Sequence, residues 1–163
     1  KEDNFKEKFK EALISTVKVI SDDYKLKKGE RDNFNSKKVM LICVPGAFSS
    51  TCHIQHLPPF INGAKKLMSE KSIDKICCIA SNDPYVLDYW RKELGDSEIL
   101  FLSDGNDEFL KSSQLIRNHE KSFMGQRLIR SIILVENLKV KKLICEEPGE
   151  LKKTSYESIL NNI

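Results

Sequence analysis

The sequence predicts an α/β fold in which a central mixed β-sheet is flanked by helices. Three observations predict it. Apolar runs of strand length alternate with segments of helical periodicity through most of the chain. Two of these runs, Val39–Val44 and Ile132–Val135, are apolar throughout, as strands covered on both faces must be. The last two runs, Leu128–Val135 and Lys139–Ile144, are joined at Glu136-Asn137 and read as an antiparallel hairpin.

The elements follow in order. Residues 1–14 carry Phe5, Phe9, Ala12 and Leu13 at helical spacing among lysines, the pattern of a short amphipathic helix. Ser15–Ile20 is rich in β-branched residues and reads as a strand. Asp22–Lys38 is a charged surface loop. Lys38–Val44 is a buried strand ended by Pro45-Gly46, and Ser49, Ser50 and Thr51 offer hydroxyl caps for a helix from Cys52 to Ser69. Pro58 and Pro59 fall early in that helix, so its start is irregular. Ile73–Ala80 is a strand. Ser81–Pro84 starts a helix over Tyr85–Leu94, Glu98–Leu102 is a strand and Asp107–Leu115 a helix. Asn118–Gln126 reads as a loop, the hairpin follows, and Thr154–Asn161 is a closing helix. The expectation is a single domain over residues 1–163, with 1–14 as an N-terminal extension.

Composition narrows the function classes. The chain has 163 residues with 40% apolar, enough for one core without disulfide or metal staples. Lys and Arg number 27 against 24 Asp and Glu, a net charge of +3 spread along the chain. That is not the footprint of a nucleic-acid binder, so no nucleic-acid partner is expected. No run approaches the roughly 18 apolar residues of a membrane span, so no membrane partner is expected either. The five cysteines, Cys43, Cys52, Cys77, Cys78 and Cys145, are odd in number and contain no C-x-x-C. They read as free thiols in an intracellular reducing compartment. The chain begins at Lys1, and a removed targeting segment would make that compartment organellar (mitochondrion or plastid) rather than cytoplasmic.

The chemistry concentrates in Val44-Pro45-Gly46-Ala47-Phe48-Ser49-Ser50-Thr51-Cys52-His53. A buried strand runs into a tight turn, and a cysteine opens a helix. Unpaired N–H groups and the helix dipole at such a place favour an anion, lower a thiol pKa and enrich the nucleophilic thiolate. On this pattern alone, Cys52 is either a reactive thiol or a buried filler. Cys52, His53 and His56 lack a fourth ligand at suitable spacing, so no metal site and no bound cofactor is expected.

Pro45-x-x-x-Ser49-x-x-Cys52 resembles the peroxiredoxin signature Pro-x-x-x-Thr-x-x-Cys. Its continuation through His56-Leu57-Pro58-x-Phe60 is similar to the type II, peroxiredoxin-5-like, subfamily. Asn82-Asp83-Pro84-Tyr85-Val86-Leu87-x-x-Trp90, Leu102-Ser103-Asp104-Gly105-Asn106 and Arg130 before Ser131–Val135 resemble further blocks of that subfamily in the same order. The resemblance implies a thioredoxin-like fold and a thiol-dependent peroxidase acting on hydrogen peroxide and organic hydroperoxides. Cys52 would be the peroxidatic cysteine, cycling through sulfenic acid. Arg130, with Arg127 its nearest competitor, would stabilise the thiolate and the charge on the peroxide oxygens. Ser49 would hold the peroxide in line and Pro45 would shield the thiolate.

Two departures stand out. Ser49 keeps the hydroxyl of the usual Thr but loses its rotamer-restricting methyl, and Pro59 replaces the usual Gly. The subfamily's usual N-terminal block is not evident in residues 1–14. Cys78 falls where plant-type members carry a second cysteine and is the candidate resolving thiol. If it is instead a core residue, the reductant is an external thiol, thioredoxin or glutathione with glutaredoxin. A homodimer is implied by family analogy. The alternative function is a redoxin-fold redox sensor or binding module with little peroxidase turnover. Near the site, His56 is expected to hydrogen-bond at the helix start. His119 reads as a surface-loop residue and Trp90 as a core or interface residue rather than a catalytic one.

Overall fold

The computed structural model describes residues 37–137 and 139–163. The helix expected over 1–14 and the strand expected over 15–20 lie outside the described residues.

Seven strands and four α-helices are present among the described residues. The strands are β1 (Lys38–Cys43), β2 (Lys75–Ala80), β3 (Ile99–Ser103), β4 (Ile116–His119), β5 (Gly125–Leu128), β6 (Ser131–Glu136) and β7 (Lys139–Cys145). The helices are α1 (Leu57–Lys71), α2 (Pro84–Leu94), α3 (Glu108–Ser113) and α4 (Tyr156–Asn162). The main sheet runs β3-β2-β1-β6-β7. β1 pairs parallel with β2 and antiparallel with β6, so the sheet is mixed. β6 and β7 form the expected hairpin, with a register irregularity at Leu134/Val135.

Alternation along β1 explains its uninterrupted apolar run. Val39, Leu41 and Cys43 pack with Phe109 and Leu110 of α3 on one face. Met40, Ile42 and Val44 pack with Phe60, Ala64 and Leu67 of α1, Leu87 and Trp90 of α2, and Ile159 of α4 on the other. A strand buried on both faces has no solvent side on which a polar residue could sit. The two adjacent thiols of β2 divide in the same way. Cys77 joins the α3 face, and Cys78 joins the face that also holds Cys52.

Four expectations are corrected. The segment read as a loop over 118–126 carries the second half of β4 and the first half of β5, which pair as a separate two-stranded ladder. Its polar composition hid it, because an edge ribbon with little core contact needs no apolar alternation. The strand expected over Leu128–Val135 is two strands, since the chain leaves one sheet at Leu128 and enters the other at Ser131. The break shows in the backbone bonding: Ile129 N–H turns aside to Leu115 O at 2.9 Å. The hydroxyl caps are not used, for Ser50 precedes the first turn in helical geometry with no side-chain cap. The helix over 107–115 shortens to α3, because Asp107 and Gln114 both take left-handed backbone. Asp104 accepts from Phe109 N and Leu110 N at 2.8 Å and satisfies the first turn instead.

The irregular helix start is present and has a specific form. Thr51–His56 is a π-helical turn, closed by Leu57 N–H on Cys52 O, and α1 follows. Pro58 and Pro59 lack the N–H groups that would continue an α-helical ladder from this turn. The wider turn accommodates those missing donors.

One contact in this layer fixes α4 to α1. Tyr156 Oη donates to Gly63 O at 3.0 Å, and a β-carbon on Gly63 would collide with the Tyr156 ring. Gly63→Ala is therefore expected to lower stability by about 1–3 kcal/mol despite the better helix propensity of Ala. Urea denaturation measures this, and an unchanged or raised midpoint contradicts the packing argument.

Candidate active site

Cys52 lies in the π-helical turn with no solvent exposure. Arg130 occupies the break between β5 and β6. Its backbone carbonyl accepts from Glu146 N at 2.9 Å, and its side chain turns inward, 8% exposed. Arg130 Nη2 donates to Cys52 Sγ at 3.1 Å, and Nη1 meets His56 Nδ1 at 2.7 Å. His56 Nε2 lies 2.9 Å from the carbonyl oxygen of Thr154. A carbonyl only accepts, so His56 carries its proton on Nε2 and presents a bare Nδ1 to the guanidinium. Burial first, and then the Arg130 charge, hold the His56 pKa down to about 4. The imidazole is therefore neutral at ordinary pH and can accept from Arg130.

The turn before Cys52 is held from three sides. Ala47 N–H donates to Asn82 Oδ1 at 2.8 Å. Arg127 Nη1 donates to Pro45 O at 3.2 Å and Arg127 Nε to Met124 O at 2.8 Å. Arg127 thus ties Pro45 to the β4–β5 ribbon, and Arg130 is the one on the thiol. Gly46 lies under this tie, where a β-carbon would come within 2.9 Å of Met124 Cε. Phe48 takes a left-handed φ of 61°, an uncommon conformation for an aromatic residue. Ser49 Oγ donates to Gly46 O at 2.8 Å, and Ser49 O accepts His53 N–H at 2.8 Å. Its hydroxyl is partly exposed and keeps acceptor capacity for a ligand.

A cleft of about 250 Å³ opens over this arrangement. Pro45, Ser49 and Arg130 line it, with Arg117 and His119 of β4 and Glu147 opposite. His119 is thus a wall of the cleft rather than a surface-loop residue. Burial, then Arg117, Arg127 and Arg130, push its pKa below the ordinary value.

Burial pushes the Cys43 thiol up to about 12. It also raises Cys78, which neighbouring Cys52 raises further, and Cys145. Trp90 is core as expected, and its indole N–H also donates to His53 Nδ1 at 2.9 Å. Two residues escaped sequence reasoning. Thr154 and Glu146 are both buried behind His56, and nothing in a charged stretch such as Glu146–Lys153 marks them. Among the described residues, no cluster of His, Cys, Asp and Glu is arranged to hold a metal ion. No helix among them is long and apolar enough to cross a membrane.

A thioredoxin-like α/β fold with a lone thiol under a buried guanidinium defines a thiol-redox protein. The comparisons narrow that class. The Redoxin family matches residues 22–160. Peroxiredoxin-2E, a chloroplastic protein of Arabidopsis thaliana, is 42% identical over 76% of this chain, which spans 54% of that relative's length. Peroxiredoxin-2D of the same plant is 39% identical, with 76% of each chain covered. Reduced Prx3 of Vibrio vulnificus, solved in complex with hydrogen peroxide, aligns with TM-score 0.75 and 34% identity over 81% of this chain and 85% of its own. Relatives include chloroplastic and mitochondrial proteins. The chain belongs to the type II peroxiredoxins of the redoxin family and is a thiol-dependent peroxidase. Membership implies hydroperoxide substrates and a thiol reductant.

The His56 geometry has a pH consequence. Its folded pKa lies below the unfolded value of 6.5, so the unfolded chain binds more protons between about 4 and 6.5. Stability from this group is full above pH 6.5 and falls toward pH 4, by about 3 kcal/mol in all. Asp104, raised to about 6 chiefly by burial, works in the opposite direction in the same window. The difference in unfolding free energy between wild type and His56→Gln cancels Asp104. It is expected to grow with pH from 4 to 6.5, and a flat difference contradicts the assignment.

Proposed function

We propose that this protein reduces hydrogen peroxide and organic hydroperoxides with Cys52 as the peroxidatic cysteine. The observation that carries the reading is the 3.1 Å contact between Arg130 Nη2 and Cys52 Sγ. The thiolate attacks one peroxide oxygen, the S–O bond forms as the O–O bond breaks, and the other oxygen leaves as water or alcohol after taking a proton. Cys52 becomes a sulfenic acid. Arg130 stabilises the thiolate and then the charge spreading over the two oxygens. Ser49, lining the cleft beside Arg130, offers its hydroxyl to the peroxide, and buried Pro45 keeps bulk water from the sulfur.

An external thiol regenerates the enzyme in this reading. One thiol condenses with the sulfenic acid, releasing water and leaving a mixed disulfide. A second displaces Cys52 as thiolate and leaves as the oxidised disulfide. Glutathione with glutaredoxin, or thioredoxin, supplies that chemistry in a reducing compartment, cytoplasmic or organellar. Cys78 shares the apolar cluster of Cys52, and burial keeps it protonated. As a resolving thiol it would need the Cys52 turn to unfold locally. Its full burial favours a core role.

We also propose a homodimer formed through the face beside the Cys52 turn. Ile54, Tyr85 and Tyr89 are exposed there, 68%, 82% and 60% respectively. The Phe48 ring lies 6.3 Å from Tyr89 and extends the patch. An apolar surface of this kind marks an association site.

Two experiments test these readings. Peroxide consumption driven by thioredoxin, or by glutathione with glutaredoxin, is expected to vanish in Cys52→Ser and to fall about 100-fold in Arg130→Gln. In Cys78→Ser, glutathione-driven turnover is expected to persist. Wild-type turnover no greater than that of Cys52→Ser with either reductant contradicts the peroxidatic assignment, and lost turnover in Cys78→Ser contradicts external resolution. For assembly, light scattering is expected to give a dimer for wild type and a monomer for Ile54→Asp. A monomeric wild type at tens of micromolar contradicts the dimer.

A further inference from the structure

We propose that Glu146 is a positioning residue for the Cys52–Arg130 pair, acting through Thr154 and His56. The inference rests on the reading of Cys52 as the reactive thiol.

Glu146 is 2% exposed and Thr154 is fully buried, so neither is a solvated surface group. Glu146 Oε2 accepts three hydrogen bonds: from Thr154 N at 2.8 Å, Thr154 Oγ1 at 2.8 Å and Lys152 N at 2.7 Å. These fix the Thr154 peptide, whose carbonyl accepts the His56 Nε2 proton at 2.9 Å. That bond selects the tautomer with a bare Nδ1, and Arg130 Nη1 donates to it at 2.7 Å. The other guanidinium nitrogen then faces Cys52 Sγ. Every link has one possible polarity. The carboxylate and the carbonyl only accept, the guanidinium only donates, and the imidazole is forced to do one of each.

The contacts also close on themselves. Glu146 N–H donates to Arg130 O at 2.9 Å, across the gap that Arg130 occupies between β5 and β6. Glu146 therefore holds Arg130 at both ends, directly at its backbone and through Thr154 and His56 at its guanidinium. A flexible side chain on a strand break gains a single orientation from this loop of contacts.

The carboxylate is an unusual choice for a staple alone. Glu146 Oε1 is buried with no hydrogen-bond partner among the described residues. Half of the carboxylate is thus desolvated without compensation from those residues. Burial pushes the Glu146 carboxyl up, but the hydrogen bonds from Thr154, Lys153 and Lys152 outweigh it and hold the group below its ordinary pKa. Glu146 is therefore ionised at neutral pH. It places a negative charge behind the His56 ring.

The test compares wild type, Glu146→Ala and Glu146→Gln by three readouts. These are the rate of sulfenic acid formation with hydrogen peroxide, the pH profile of Cys52 alkylation resolved by mass spectrometry, and the melting temperature. In Glu146→Ala the peroxide rate at pH 7 is expected to fall about tenfold and the alkylation profile to move up by about one pH unit. Glu146→Gln keeps the volume and an acceptor, and is expected to show a smaller shift of the same sign. It decides the matter if Glu146→Ala fails to fold. Wild-type rates and profiles with only a lowered melting temperature would overturn the proposal. A wild-type Cys52 that does not react with hydrogen peroxide would instead overturn the reading beneath it, and the alkylation profiles would still judge Glu146.

Discussion

The contact between the Arg130 guanidinium and the Cys52 sulfur is the constraint on which the rest of the site depends. A guanidinium is charged at any ordinary pH, and burying it is costly unless its donors are met. Here Arg130 is buried and its donors go to Cys52 Sγ and His56 Nδ1. Both partners must therefore be acceptors in a region with little water. A neutral imidazole with its proton on the far nitrogen satisfies one side. On the other, the sulfur of Cys52 accepts from Arg130 Nη2.

That requirement accounts for local features that look like irregularities. The strand expected across residues 128–135 breaks at Ile129 and Arg130, and the break frees Arg130 from the ladder so that its side chain can drop toward the thiol. The helix after the Pro45 turn begins as a π-helical turn, which carries both Cys52 and His56. The two residues lie four apart and both reach the same guanidinium. Pro58 and Pro59 withhold the donors an α-helix would need there, so the departure from regular helix is written into the chain. Left-handed Phe48 and the close packing over Gly46 belong to the same tight approach.

The fold was legible where burial has a simple period. β1, β2 and β6 are apolar because both faces are covered, and α1 and α2 follow the expected helices closely. The β4–β5 ribbon was not legible, because its strands carry Arg117, Asn118, Gln126 and Arg127 and contribute little to the core. The site was partly legible. Pro45, Ser49, Cys52 and Arg130, separated by up to 85 positions, do converge around one cleft and the thiol beneath Arg130. His56 was expected to bond at the helix start, and its partners turn out to be Arg130 and Thr154. Glu146 gave no sign, since a buried glutamate and an exposed one look alike in a charged stretch.

By itself, the order of residues determined the strand-and-helix alternation, the turn at Pro45-Gly46, the irregular helix start and the type II peroxiredoxin membership. All of these follow from local periodicity, proline chemistry and a motif with fixed spacing. Only the tertiary structure decided which arginine meets the thiol, which way the His56 proton points and what stands behind it. Those depend on residues 52, 56, 130, 146 and 154 meeting across two sheet edges and a helical turn. Sequence spacing carries no information about the direction of a hydrogen bond, because direction is set by which donors and acceptors packing brings within reach.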